Sequence, residues 1–134
     1  MKEAKELLSY NHHCFGCGEQ NPQGLKLKFQ QDGDRIYALF TPGEAHQGYP
    51  GIIHGGITST LLDEVMSNCM LVQGVAAMTV RLEVRFKKKI PLHQQLRAEG
   101  WITAQHKRLY DTAGRILLED GTVAAKAAAR FMTL

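Results

Sequence analysis

Apolar and polar positions along the chain follow two periods in turn. From Leu25 the period is two, with Leu25, Leu27 and Phe29 alternating with Lys26, Lys28 and Gln30. Asp32-Gly33 then predicts a hairpin into Arg35 to Phe40 with one face buried. Between Gly51 and Gly74 the pattern takes helical pitch, and Ile57, Leu61, Leu62, Val65, Met66, Cys69, Met70 and Val72 cover more than half the circumference. A helix this apolar has to be surrounded, so the remaining chain is expected to wrap around it. Met78, Val80, Leu82, Val84 and Phe86 then alternate with Thr79, Arg81, Glu83, Arg85 and Lys87, a long strand whose apolar face should cover the helix.

Beyond Pro91 the order continues in extended style. Leu96 to Leu109 predicts a strand, Asp111 to Gly114 a turn, Arg115 to Leu118 another strand, and Asp120-Gly121 a tight hairpin into Val123 to Met132. Ala124 to Ala129 favours helix by propensity alone, but its place after a hairpin turn and before Phe131 and Met132 favours a final strand. Residues 1 to 9 predict a short helical lead. The sum is an α+β chain, a curved antiparallel sheet of five or six strands wrapped around one long central helix.

Composition narrows this only at the edges. A chain of 134 residues, 44% hydrophobic and 22% charged, suits one domain over residues 1–134, with residues 1–24 as a lead-in segment. No apolar run is long enough to span a bilayer, and the mixed charges of Met1 to Glu6 precede no apolar signal region, so a cytoplasmic protein without a membrane partner is expected. A formal charge of +3 is too mild to imply nucleic acid. The concentration of Arg85, Lys87, Lys88 and Lys89 at a strand end is a candidate contact for phosphates. His12, His13, Cys14 and Cys17 are ligand types zinc prefers, but no second ligand pair follows at a usable spacing. The expectation is a glycine-rich turn with free thiols and no metal.

The polar residues of the helical stretch carry the candidate chemistry. Asp63 sits at the edge of the apolar arc, with Ser59 a turn before it and Ser67 a turn after. His54-Gly55-Gly56 precedes the helix, where glycines leave first-turn amides uncovered for an oxyanion or a polarised carbonyl.

These residues also resemble a known family. A G-x-x-H-G-G sequence with an aspartate nine residues after the histidine is similar to acyl-CoA thioesterases of the hotdog-fold superfamily, in particular their PaaI-like branch. The likeness extends through Cys14-Phe15-Gly16-Cys17-Gly18, Asn21 to Leu25, His46-Gln47-Gly48 and Thr79 to Pro91. It implies a hotdog fold and hydrolysis of a small, medium-chain or aryl acyl-CoA, with coenzyme A as part of the substrate and no separate cofactor. On that reading the Gly55 and Gly56 amides stabilise the oxyanion, and Asp63 acts as general base or nucleophile. The resemblance assigns Thr79 to orienting the acid or water. It gives the entry loop before the helix, Thr41 to Ile53, a glutamine, Gln47, or alternatively His46, to orient the substrate, while His54 is a further candidate for proton transfer.

Gly55 and Asp63 are eight residues apart, or about 12 Å along a helix axis, so one thioester cannot easily touch both within one chain. The carboxylate should therefore come from a second chain, and the family's habit of forming dimers, or tetramers of dimers, agrees. Two other functions stay open: a non-catalytic acyl-CoA sensor or subunit, and a hydratase or dehydratase of acyl thioesters.

Overall fold

Thr58, Leu61, Leu62, Val65, Met66, Cys69 and Met70 form one stripe at helical spacing, and all are buried in helix α1 (Gly55–Leu71). In the computed structural model, which describes residues 11–134, this stripe lies against a curved antiparallel sheet; the helical lead expected over residues 1–9 falls outside the described residues. The strands are β1 (Gln30–Asp32), β2 (Arg35–Phe40), β3 (Ala77–Phe86), β4 (Leu96–His106), β5 (Leu109–Leu117) and β6 (Val123–Thr133). They run in the spatial order β1-β2-β4-β5-β6-β3, each antiparallel to its neighbours. The apolar arc is narrower than the sequence suggests, because Ile57 is only half-buried and Val72, at the helix C-cap, is 52% exposed. The outer side of α1 is covered in part by the lead-in segment.

The helix comes very close to the sheet at one point. Gly100 on β4 pairs with Gly114 on β5, and a Cβ at Gly100 would lie 2.8 Å from the Val65 carbonyl oxygen. The paired glycines make a shallow trough that admits the backbone of α1. Beside it, the alanine-rich β6 turns Ala125, Ala127 and Ala129 inward, as small side chains beneath a helix require.

Three expectations change. The buried-exposed alternation of Leu25 to Phe29 holds, with Leu25 and Leu27 buried, but only Gln30–Asp32 pairs with β2. The turn between β4 and β5 falls at Lys107 and Arg108, with Lys107 at φ 56°, rather than at Asp111 to Gly114. Asp111 and Gly114 are strand residues with specific tasks: Asp111 binds Arg130 across the sheet at 2.7 Å, and Gly114 completes the trough. The third change concerns β3, whose alternation breaks at a bulge between Thr79 and Arg81. Thr79 pairs with the buried Phe131, so it shares the helix-facing side; after the bulge Leu82, Val84 and Phe86 pair with Ala129, Ala127 and Ala125 and share that side in turn. Leu82 and Phe86 on this face remain exposed, as do Met78 and Val80 before and within the bulge, on a strand that among the described residues pairs only with β6.

The opposite face of the sheet holds a buried carboxylate. Glu99, only 5% exposed, accepts hydrogen bonds from Arg35, Arg97 and Arg115 at 2.7–3.0 Å. Arg35 and Arg97 in turn stack on Trp101 and Tyr37. Burial alone would raise the Glu99 carboxyl, but the hydrogen bonds and charges of Arg115 and Arg97 outweigh it and hold the carboxyl below its ordinary value of 4.5. A lowered folded-state pKa contributes stability that is fully present above 4.5 and is lost as the pH falls through the lower folded-state value. Glu99→Gln is therefore expected to destabilise the protein near neutral pH by about 2–3 kcal/mol, since it leaves three arginines facing one another. The difference from wild type should shrink in denaturation curves taken at progressively lower pH, and a pH-independent gap would contradict this account.

Candidate functional site

The site is built where the β2–α1 connection delivers the chain to the helix N-terminus. His54 is the N-cap, in extended conformation, and its Nδ1 accepts the Gly56 amide at 2.8 Å. With Nδ1 accepting, the neutral ring carries its proton on Nε2. His54, a candidate for proton transfer on the sequence, thus serves as the helix cap. The Gly55 amide makes no hydrogen bond among the described residues, while the Gly55 carbonyl accepts the Ser59 hydroxyl at 3.0 Å. The Phe86 ring lies beside Gly55, where an added Cβ would stand in ordinary contact with it at 3.6 Å. One backbone donor thus stands at the positive end of a 17-residue helix, beside an exposed aromatic ring.

Asp63 lies two turns further along α1, half-buried, and its Oδ1 accepts the Thr79 hydroxyl at 2.7 Å. The β3 bulge supports this pair: Thr79 faces the helix, and the strand changes phase immediately afterwards. Burial raises the Asp63 carboxyl above its ordinary value, and the Thr79 hydrogen bond draws it part of the way back. The result is an oriented carboxylate more basic than one in water. Ser59 and Ser67 are not its partners.

The entry loop is itself well tied. His46 Nδ1 accepts the Gly43 amide at 3.0 Å, its ring packs edge-on to Phe40, and its carbonyl accepts the His54 amide at 2.8 Å. Gln47 is exposed, and its Oε1 accepts the Gly51 amide at 3.1 Å, which fixes the side chain and leaves its NH₂ group to donate elsewhere. Both residues flank the helix start rather than Asp63.

The basic run lies at the same end. Lys87 and Lys88 donate their amides to the Ala124 carbonyl, and Ile90 then accepts the Ile53 amide directly before His54. Arg85, Lys87, Lys88 and Lys89 are all exposed, and Arg85 approaches Glu83 at 4.0 Å. Within one chain the structure therefore brings together the Gly55 amide, Phe86, Gln47 and the lysines, and separately Asp63 with Thr79. Phe86 escaped the sequence reading because its apolar character looked like core; only the pairing of β3 puts it beside Gly55.

The comparisons with known proteins fit this picture. The family model of the thioesterase superfamily matches residues 50–125, from the loop before α1 to the start of β6. Acyl-coenzyme A thioesterase THEM4 of Mus musculus is 43% identical over 58 residues, which is 43% of this chain and 25% of that protein. Acyl-coenzyme A thioesterase THEM5 of Homo sapiens is 28% identical over 121 residues, covering 88% of this chain and 49% of that protein. The chain thus spans between a quarter and a half of the length of these curated relatives. Among solved structures, a thioesterase superfamily protein superimposes with a TM-score of 0.84 at 29% identity, over 90% of this chain and 60% of that one. A hypothetical thioesterase of Streptococcus pneumoniae, solved with coenzyme A, superimposes with a TM-score of 0.75 at 18% identity, over 81% of this chain and 85% of that one. The architecture is the hotdog fold.

Proposed function

This chain belongs to the thioesterase superfamily, and from that premise we propose that it hydrolyses acyl-coenzyme A thioesters to a free acid and coenzyme A. The observation that carries the reading is the pairing of an unengaged Gly55 amide at the helix start with an Asp63 carboxylate oriented by Thr79. The Gly55 N–H, reinforced by the helix dipole, takes the charge that develops on the thioester oxygen. Gly56 keeps its amide on His54 and gives the cap room, since a Cβ there would lie 3.0 Å from His54 Nδ1. Asp63 activates water as general base, or attacks the thioester carbon as nucleophile. Thr79 holds the carboxylate, and the Gln47 NH₂ group, with His46 behind it, orients substrate or water at the opposite end.

These two halves stand about 12 Å apart along α1, so one bond is served by Gly55 of one chain and Asp63 of another. The edge of β3, unpaired among the described residues and carrying the exposed Met78, Val80, Leu82 and Phe86, supports a homodimer formed along that strand. No helix among the described residues is long and apolar enough to cross a membrane. The relatives named as acyl-coenzyme A thioesterases and the neighbour solved with coenzyme A support the substrate class.

The test is free-thiol release from a panel of acyl-CoAs varied in chain length and aryl character. Hydrolysis is expected for part of the panel. Acyl-CoA binding without any hydrolysis would favour a sensor or subunit, and water addition across an enoyl-CoA would favour a hydratase.

The basic run yields a sharper prediction. Replacing Lys87, Lys88 and Lys89 with alanine should raise KM for acyl-CoAs by roughly three- to tenfold at low ionic strength, and less as salt screens the phosphates. Short thioesters lacking the nucleotide should be hydrolysed unchanged. An equal loss on both kinds of substrate would place the damage elsewhere.

A further inference from the structure

The C-x-x-C turn of the lead-in segment does not stand alone in the folded chain. Cys14 Sγ, Cys17 Sγ and a Glu64 carboxylate oxygen lie within 4.8 Å of one another, with Cys14 Sγ 3.5 Å from Glu64 Oε1. All three residues are half-buried, and His12 and His13 are exposed and outside the group. On the sequence alone, His12, His13, Cys14 and Cys17 lack a second ligand pair. The fold supplies a carboxylate instead, from the outer face of α1.

The spacing suits a tetrahedral ion. Zinc bonds of about 2.3 Å to sulfur and 2.0–2.2 Å to oxygen set neighbouring ligand atoms roughly 3.6–3.8 Å apart. The Cys14–Glu64 distance is already close to that value. The turn is also shaped to receive the carboxylate: a Cβ at Gly16 would run into the Glu64 carboxyl group, so glycine leaves the room in which that side chain lies. The Gly18 amide closes the turn on the Cys14 carbonyl at 2.8 Å, and the Leu25 and Leu27 amides clamp it through Phe15 and Gly16.

We propose that Cys14, Cys17 and Glu64 bind a zinc ion that fastens the lead-in segment to the outer face of α1. Binding displaces the two thiol protons, and with the carboxylate ionised the three ligands balance the divalent charge to a net −1. One tetrahedral corner is left to water or an external ligand. The charge environment agrees, because the charged neighbour felt by Glu64 is Asp63, another acid, and Asp63 itself turns away to Thr79. Burial pushes the Cys17 thiol upward, the Glu64 charge adds to this, and burial likewise raises Glu64. A divalent ion is the partner that lets all three ionise together. The site is structural and independent of the thioesterase reading.

The test starts from the full chain, purified under reducing conditions without chelator, with zinc measured by mass spectrometry of the metal. One zinc per chain is expected. The chelator-stripped protein should take up cobalt(II) with thiolate-to-metal charge-transfer bands in the near ultraviolet. Glu64→Gln should weaken zinc in a chelator competition by at least the roughly tenfold that losing even an outer-shell partner costs. Cys14→Ser with Cys17→Ser should abolish the cobalt bands, while Cys69→Ser and a His12→Ala, His13→Ala double variant should leave them intact. Wild-type protein that is folded yet takes up neither metal, or whose mass shows a Cys14–Cys17 disulfide under the same conditions, would overturn the proposal without recourse to any variant. Loss of the bands in the histidine double variant would overturn the ligand assignment.

Discussion

Asp63→Asn is expected to lower kcat for acyl-CoA hydrolysis by about 10²–10⁴-fold, the contribution of a positioned acid or base, while the fold and self-association persist. Asparagine keeps the volume and can still accept the Thr79 hydroxyl at its amide oxygen, so the substitution removes basicity and charge with little change in packing. It even relieves the burial of a carboxylate whose pKa burial has raised, so the variant should be no less stable than wild type. Loss of rate with unchanged or improved stability separates a catalytic role from a structural one. Thr79→Val should give a smaller fall in kcat than Asp63→Asn, because the carboxylate remains and only its orientation is lost. An Asp63→Asn protein that is folded and hydrolyses acyl-CoA at the wild-type rate would remove Asp63 from the mechanism.

Gly100→Ala is expected to cost about 1–3 kcal/mol of stability, the range seen when a packed interior is overfilled. The new methyl group meets the Val65 carbonyl oxygen at 2.8 Å, and that atom is backbone in the middle of α1, so the whole helix has to lift. A helix displaced here also moves Asp63 relative to Thr79, and activity should fall with stability. Gly43→Ala is the matched control. Nothing lies within 4 Å of its added Cβ, and its φ of −115° suits any residue, so the change should be neutral or stabilise by up to about 1 kcal/mol. Denaturation midpoints at constant m-value read both. Equal effects at the two positions would mean that the trough does not set the helix height.

The sequence makes the helix and most of the sheet visible because a single buried face imposes its period on the residues. The stripe from Leu61 to Met70 is legible for that reason, whereas β6 is legible only from its place after the Asp120-Gly121 turn. It misleads where a residue's task lies in the third dimension. Asp111 and Gly114 carry turn-forming residue types, yet one is needed for its charge opposite Arg130 and the other for its lack of a side chain beneath α1. The β3 strand reads as uniform alternation because a bulge adds one residue without altering the residue types around it.

The site divides in the same way. Gly55, Asp63 and Thr79 stand out as a motif, and the hydrogen bond between the last two gives that motif a geometry. Two features depend on chain segments meeting and have no local signature. One is Phe86 against Gly55; the other is Glu64 beneath the Cys14–Cys17 turn, 50 residues after Cys14 in the chain.

A site completed by two chains is tested most directly by mixing subunits. Gly55→Pro deletes the amide that makes no hydrogen bond among the described residues, and proline suits this first helical position after the His54 cap. A chain carrying Gly55→Pro and a chain carrying Asp63→Asn should each be inactive alone. When the two are unfolded together, refolded and isolated as mixed dimers, one site receives both lesions and the other receives none. The prediction is that acyl-CoA hydrolysis returns in the mixed dimer. Mixed dimers that stay inactive, beside wild-type protein that regains activity through the same refolding, would mean that both groups act within one chain and would contradict the shared site.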